Sequence, residues 1–357
     1  MAVLHGERPD RIPWTTYSVF LPRGTMGREL RNMGLGIIEV VQVHTEETPN
    51  VQVEQKVTGD IVKTFFHTPV GTISQKERTK LPFSGVDWLG GLLRSLGHNQ
   101  GVWIMEHMFE DVSDYEVLRF IVEDTVYHPR YDDYKEVERS LEDDGVIFAA
   151  TGHSPLQKLL LDYIGYQTFA VELYKHPHEF EKLLDAVDRK QDELYKVMAN
   201  SPAELIWCGD NINGVVTSPK LFEKYVVPFY RKQVDRLHRK DKILAVHMDG
   251  RLASLKGLIP EGKVDVVEAF TPPPMGDLPP NEARETWGDD QTIWINFPES
   301  VALQGADAVK KRTSEILKSI APGDNFLIGV TEDIPPELLG QTLKAMGQTL
   351  LKREKYP

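Results

Sequence analysis

Short apolar runs alternate with stretches of helical periodicity along most of this chain. The runs at 102–108, 146–150, 205–208, 243–246, 264–267, 292–295 and 326–330 read as strands buried on both faces, the pattern of a parallel sheet. Amphipathic helices lie between them. The longest spans 177–199, with Phe180, Leu183, Leu184, Val187, Leu194 and Met198 on one face. Another starts at Ser218, whose hydroxyl is placed to cap it while Pro219 fills the first helical position, and Pro228 should bend it. Seven such units, with 37–43 as an eighth strand, predict an α/β fold: a single-domain (β/α)8 TIM barrel over residues 1–357. An open doubly wound sheet is the alternative. Residues 51–76 break the pattern: Val51 and Val53 alternate with Gln52 and Glu54, "TGD" makes a turn, and "FFHTPVGTISQ" continues as strand. An antiparallel hairpin or three-stranded insert near residues 50–77 is expected there, over one end of the barrel.

Composition narrows the function classes. The formal charge of −13 repels phosphate backbones and anionic lipid, and no Lys/Arg run interleaved with aromatics offsets it, so neither nucleic acid nor membrane is an expected partner. The longest apolar stretches, such as 145–150 and 159–161, fall far short of the roughly 20 residues that span a bilayer. Residues 1–11 carry His5, Glu7, Arg8 and Asp10 where a signal peptide would be apolar. Cys208 is the only cysteine, which excludes an intramolecular disulfide and a multi-thiolate zinc cluster and fits a cytoplasmic address.

In a (β/α)8 barrel, function gathers where the strands end. The predicted strand ends deliver Glu106 and His107, His153, then Cys208, Asp210 and Asn211, then His247 and Asp249, then Glu268, Asn296, and finally Glu332 and Asp333. Two readings stand for several of these. Asp249 is either a ligand or the cap of a helix beginning near Arg251; Asp210 is either a pocket acid or a turn residue of "NING"; Glu332 and Asp333 either face the pocket or charge a helix amino terminus. His247 gains weight from its neighbours, since Asp249 and carboxylates from other strands converge on it if the topology holds. Glu268 ends an apolar strand, where an unpaired carboxylate would be costly. Tyr163, Tyr166 and Phe169 read mainly as helix packing, with one of them free to line a pocket.

Four motifs, "GERPDRIPW" at 6–14, "GDNINGVVTSPKLFEKYVVPFY" at 209–230, "VHMDG" at 246–250 and "EDIPPELL" at 332–339, resemble the uroporphyrinogen decarboxylase-like superfamily. More closely they resemble its branch of cobalamin-dependent methyltransferases, and the resemblance implies the barrel independently of the strand count. Uroporphyrinogen decarboxylases hold their substrate's carboxylates with an amino-terminal Met-Arg-Gln-Ala-Gly-Arg segment; here that region reads "TTYSVFLPRG", with Arg23 alone, which disfavours tetrapyrrole decarboxylation. In the thiol-acting methyltransferases a His-x-Cys motif and a later cysteine hold zinc. This chain has His247 and Asp249 at the first motif and Glu332 at the later position.

Imidazole with carboxylates makes a harder metal site than thiolates do, suited to a methyl donor bearing oxygen or nitrogen. The resemblance therefore implies a corrinoid-dependent methyltransferase that takes a small methylated substrate, such as an aromatic methyl ether, and uses the cobalamin of a separate corrinoid protein. The roles expected are His247, Asp249 and Glu332 as ligands of a divalent metal, zinc first; His247, Glu268 and Asp210 as catalytic groups; and Asn211, His153, Glu106 and Asn296 as substrate contacts. A small-acid decarboxylase or other lyase on the same barrel, and a barrel that binds a metabolite without turnover, are the alternatives.

Overall fold

A computed structural model describes residues 1–79, 102–321 and 324–352. The described residues form fourteen strands: β1 (Trp14–Tyr17), β2 (Leu35–Val41), β3 (His44–Glu47), β4 (Gln52–Thr58), β5 (Ile61–Thr68), β6 (Gly71–Arg78), β7 (Trp103–Glu106), β8 (Val126–Pro129), β9 (Gly145–Ala150), β10 (Leu205–Cys208), β11 (Ile243–His247), β12 (Val266–Phe270), β13 (Thr292–Asn296) and β14 (Phe326–Val330). Eight of them close into a barrel in the order β1-β14-β13-β12-β11-β10-β9-β2, and the pairings with recorded register are parallel. With helices following most strands, this is the expected (β/α)8 barrel.

The strand list corrects the sequence reading at one place. The segment 102–108 does not enter the barrel: β7 pairs antiparallel with β6 as the edge of a four-stranded sheet β4-β5-β6-β7. Trp103 and Met105 stand exposed on it, so the run is a one-faced edge strand and not a strand buried on both faces. The eighth barrel strand is β1, whose four residues WTTY are all buried. The insert near residues 50–77 forms as expected, with β4, β5 and β6 as its three antiparallel strands.

Tight packing divides the chain into two compact units, Met1–Val40 with Lys135–Phe148 and Ala203–Pro357, and Val41–Tyr134 with Ala149–Pro202. The barrel core belongs to the first. Trp207 on β10, Trp294 on β13 and Phe148 on β9 are fully buried, and Phe148 meets both tryptophans although β9 and β13 are not neighbours, so these rings fill the barrel interior. Trp294 donates its indole N–H to Thr15 Oγ1 at 3.0 Å, so the plug closes without an orphaned donor.

The second unit holds the four-stranded sheet, the antiparallel pair β3-β8, and the long helix Pro177–Asn200 packed on helix Asp114–Asp124. All six residues of the expected apolar stripe on the long helix are buried. In the first unit the helix after Ser218 does begin at Pro219, but the Ser218 side chain makes no capping bond; its backbone carbonyl accepts from Phe222 N at 2.9 Å instead. A π-helical stretch, Phe222–Val226, precedes helix Val227–His238, so the widened turn absorbs the hydrogen bond that Pro228 cannot make. Among the described residues no helix is long and apolar enough to cross a membrane.

Barrel closure leaves room only for glycine at position 145. A Cβ on Gly145 at the start of β9 would lie 1.9 Å from the Ile37 carbonyl oxygen on β2, and neither backbone segment can yield without breaking the parallel ladder. Gly145→Ala should lower unfolding stability by about 3 kcal/mol or more in urea titration, whereas Gly257→Ala, whose Cβ meets nothing within 4 Å, should change it by less than about 0.5 kcal/mol.

Candidate functional site

His247 is the last residue of β11 and only 5% exposed. Its imidazole is held from both sides. Nδ1 lies 2.7 Å from Glu268 Oε2, and Nε2 lies 3.2 Å from Glu332 Oε1 and 3.9 Å from Asp249 Oδ1. Glu268 is fully buried and accepts three hydrogen bonds, from His247, from Trp207 Nε1 at 2.9 Å and from the Tyr17 hydroxyl at 3.0 Å. The carboxylate so supplied lies at the base of the site, and its bond to the imidazole fixes a proton on Nδ1. Nε2 is then the ring atom offered outward to Asp249 and Glu332.

The local backbone explains why Glu268 turns inward. β12 and β13 pair at Val267↔Ile293 and next at Phe270↔Ile295, which leaves one extra residue on β12. Ala269 takes it up with φ +59°, a left-handed conformation that costs a non-glycine residue about 1–2 kcal/mol. The Glu268 side chain is thereby directed at Trp207 and His247 inside the barrel.

His247, Asp249 and Glu332 each present a ligand atom within 4.8 Å of the other two. One imidazole nitrogen and two carboxylates could hold a divalent cation, and the Glu268 bond to the opposite ring nitrogen supplies the orientation that such a histidine would need. Burial pushes the Glu332 carboxyl up, the hydrogen bond from His247 opposes it, and the charges of Asp249 and Glu268 add to the rise. Burial also works against charging His247, yet the three carboxylates hold its pKa well above the usual histidine value. The cluster has more acid than imidazole to balance it, which is a further fit to a cation.

The remaining sequence candidates are placed as follows. Asn296 is buried and fully engaged: its amide donates to Thr271 Oγ1 and to Glu299, and its carbonyl accepts from Thr331 N at 2.9 Å. Asp210 is buried and accepts from the Tyr230 hydroxyl at 2.5 Å, while Asn211 beside it is exposed with φ +47°. His153 and Glu106 lie in the second unit. His153 Nδ1 is 3.1 Å from Asp162, and exposed Glu106 pairs with Lys76 at 2.9 Å. The geometry thus gathers His247, Asp249, Glu268 and Glu332 at one place. Tyr17, Trp207 and Glu299 join this site without having been singled out in the sequence.

Glu299 opens the helix Glu299–Ala302 three residues past the end of β13 and is 7% exposed. Burial first, then the charges of Glu332 and Asp249, push its carboxyl up to about 7 against the pull of the Asn296 hydrogen bond. The neutral acid is therefore favoured in the folded protein more than in the unfolded chain. Stability from this group is complete below the ordinary value of 4.5 and is lost as pH rises through about 7. Glu299→Gln, which mimics the neutral acid, should gain on the native protein by up to about 3 kcal/mol between pH 4.5 and 7.5 in paired urea titrations; parallel pH profiles of the two proteins would contradict a raised pKa.

Residues 95–352 match the sequence family described as Uroporphyrinogen decarboxylase (URO-D). The uroporphyrinogen decarboxylase of Rickettsia rickettsii (strain Sheila Smith) is 25% identical over 215 residues, which cover 58% of this chain and 59% of that protein. That of Geobacter metallireducens is 23% identical over 169 residues, or 46% of this chain and 48% of the relative. The chain thus spans about half the length of the curated relatives it matches. Among solved structures, a methyltransferase from Methanosarcina mazei superposes with a TM-score of 0.56 at 13% identity, covering 99% of this chain and 97% of the other, and so shares the fold. With a family match over most of its length and a closed eight-stranded parallel barrel, the chain belongs to the uroporphyrinogen decarboxylase (URO-D) family.

Proposed function

We propose that this protein is a corrinoid-dependent methyltransferase, moving a methyl group between a small O- or N-methylated substrate, such as an aromatic methyl ether, and the cobalt of a separate corrinoid protein. The observation that carries this reading is the cluster of His247 Nε2, Asp249 and Glu332, with Glu268 behind the imidazole. Its donors suit a hard or borderline divalent cation, zinc first, and an oxygen- or nitrogen-bearing substrate more than a thiol. The fold shared with a methyltransferase supports the reading, as does the lone Arg23 where a decarboxylase of the family carries its arginine-rich segment.

A methyl bound to oxygen leaves slowly because the alkoxide or phenolate left behind is a poor leaving group. A bound divalent metal supplies Lewis acidity toward that heteroatom. The chain's own residues do the rest. Glu268 holds the Nδ1 proton of His247, and Nε2, once it gives up the proton that the neighbouring carboxylates favour, would hold the cation together with Asp249 and Glu332. Glu299, neutral up to about pH 7, is the acid available to protonate the departing oxygen or nitrogen. In a transfer of this kind the bonding electrons would stay on the substrate's heteroatom, and the one proton that balances them would come from Glu299. Asn296 holds the Glu299 carboxyl in place.

The curated relatives favour a second reading, a decarboxylase or other lyase acting on a small acid with the same carboxylates as proton donors. It needs neither corrinoid nor metal. Elemental analysis of protein purified without chelator should find about one divalent metal per chain, lost in His247→Ala and Glu332→Ala and kept in Glu299→Gln. Mixing the protein with cob(I)alamin and a panel of methyl ethers and methylamines should give the methylcobalamin absorption change, at least tenfold slower in the two alanine variants. Metal-free protein that decarboxylates a small acid with cobalamin absent would replace the first reading with the second.

A further inference from the structure

The second unit holds a cavity of about 400 Å³, in the size range of small-molecule sites. Part of its wall is the π-helical stretch Lys158–Ile164, at whose end Gly165 N donates to the Leu160 carbonyl five residues back at 3.1 Å. Residues five apart point to different faces of an α-helix. The widened turn brings Lys158 and Tyr163 together instead, with the ammonium 5.7 Å from the centre of the Tyr163 ring, and both line the cavity. π-helical turns are uncommon and recur at functional sites.

Most charges in the lining are matched. Glu46 Oε1 lies 3.5 Å from His44 Nε2, Asp162 Oδ1 lies 3.1 Å from His153 Nδ1, and Lys190 Nζ lies 3.0 Å from Glu193. Lys158 differs: among the described residues it has no carboxylate within ion-pair distance, and Glu46 and Asp162 act on it only from farther away. An ammonium set into a protein wall without a close counter-ion is poorly compensated, and an anion in the cavity would supply the missing charge.

Uncommitted donors accompany it. Among the described residues the Tyr127 hydroxyl and the side-chain amides of Gln42 and Gln75 make no hydrogen bond, and all three residues line the cavity. Burial, against the pull of the Lys158 charge, holds the Tyr127 hydroxyl well above the ordinary tyrosine value, so it stays a donor. Lys158, Tyr127, Gln42 and Gln75 are each partly exposed, so a ligand can reach them. Phe66, Ile104, Met108, Ile121, Val122 and Val187 also line the cavity, more apolar surface than a bare inorganic anion could cover. Three carboxylates, Glu46, Glu77 and Asp162, share the lining, so a second negative charge on the ligand would be repelled. We propose that this cavity binds a small organic monocarboxylate, whose carboxylate takes the Lys158 ammonium as counter-ion and hydrogen bonds from the free donors, and whose apolar body packs among the aliphatic side chains. The assignment holds whichever reaction the barrel performs.

Titration calorimetry of the full chain tests it with benzoate, benzyl alcohol, benzylamine and acetate as probes. Benzoate should bind with a dissociation constant of roughly 100 µM. Benzyl alcohol and benzylamine lack the negative charge and acetate lacks the apolar body, so each should bind at least tenfold more weakly. Lys158→Met, with folding checked by far-UV circular dichroism, should weaken benzoate at least tenfold and remove its advantage over benzyl alcohol, and His247→Ala in the barrel should leave benzoate unchanged. The proposal is overturned if benzoate fails to bind, if any of the other three probes binds as well as benzoate does, or if benzoate binding persists in Lys158→Met. Loss of binding in His247→Ala would also overturn it, by placing the benzoate at the barrel's own acidic cluster. The probe panel needs no variant, so a misfolded Lys158→Met would still leave a decisive result.

Discussion

The barrel's chemistry depends on one buried carboxylate. Glu268 has no exposure and takes its three hydrogen bonds from Tyr17 on β1, Trp207 on β10 and His247 on β11. An ionised carboxylate buried alone would cost several kcal/mol, and these donors offset that cost only while all of them are in place. The same atoms therefore tie the stability of the barrel core to the orientation of the site. Tyr17 pays part of the electrostatic balance, since burial first and then the nearby carboxylates push its hydroxyl well above the ordinary tyrosine value and keep it a donor. The left-handed Ala269 is where this arrangement stores its backbone strain, next to the carboxylate it serves.

Much of the barrel was legible because parallel strands buried on both faces write themselves as apolar runs. β9 to β14 fall where the runs at 146–150 through 326–330 place them, to within a few residues. The exceptions share a physical cause. WTTY is four residues long with two threonines, so its burial comes from the closed ring and leaves little mark on local composition. The run at 102–108 is apolar enough to pass for a core strand, yet an edge strand also tolerates Trp103 and Met105 in water.

The candidate site divides the same way. His247, Asp249 and Glu332 stand close to strand ends, so counting from the apolar runs finds them, and the resemblance to a zinc-binding branch names their partnership. Glu268 was noticed for its cost of burial, and the structure shows what offsets it: the carboxylate braces the imidazole and does not lie among the three clustered ligand atoms. Glu299 leaves no mark at a strand end because it lies on the short helix after Asn296. Tyr17 and Trp207 were missed for a different reason. Aromatic residues in strands read as packing, and only the fold reveals that a hydroxyl and an indole N–H meet one carboxylate across the barrel.

The charge balance of the site argues for what it holds. Glu268, Asp249 and Glu332 surround one imidazole, and even a protonated His247 leaves the group with excess negative charge in a largely buried place. Proteins tolerate such an excess by protonating a carboxyl or by binding a cation. Glu299, raised to about 7 nearby, is the group suited to the first course, and the three converging ligand atoms of His247, Asp249 and Glu332 to the second. Under the proposed function, a site that did both at once would offer a cation to the substrate's heteroatom and a proton to the same atom as its bond to carbon breaks, the pair of aids that removing a methyl group from oxygen or nitrogen requires.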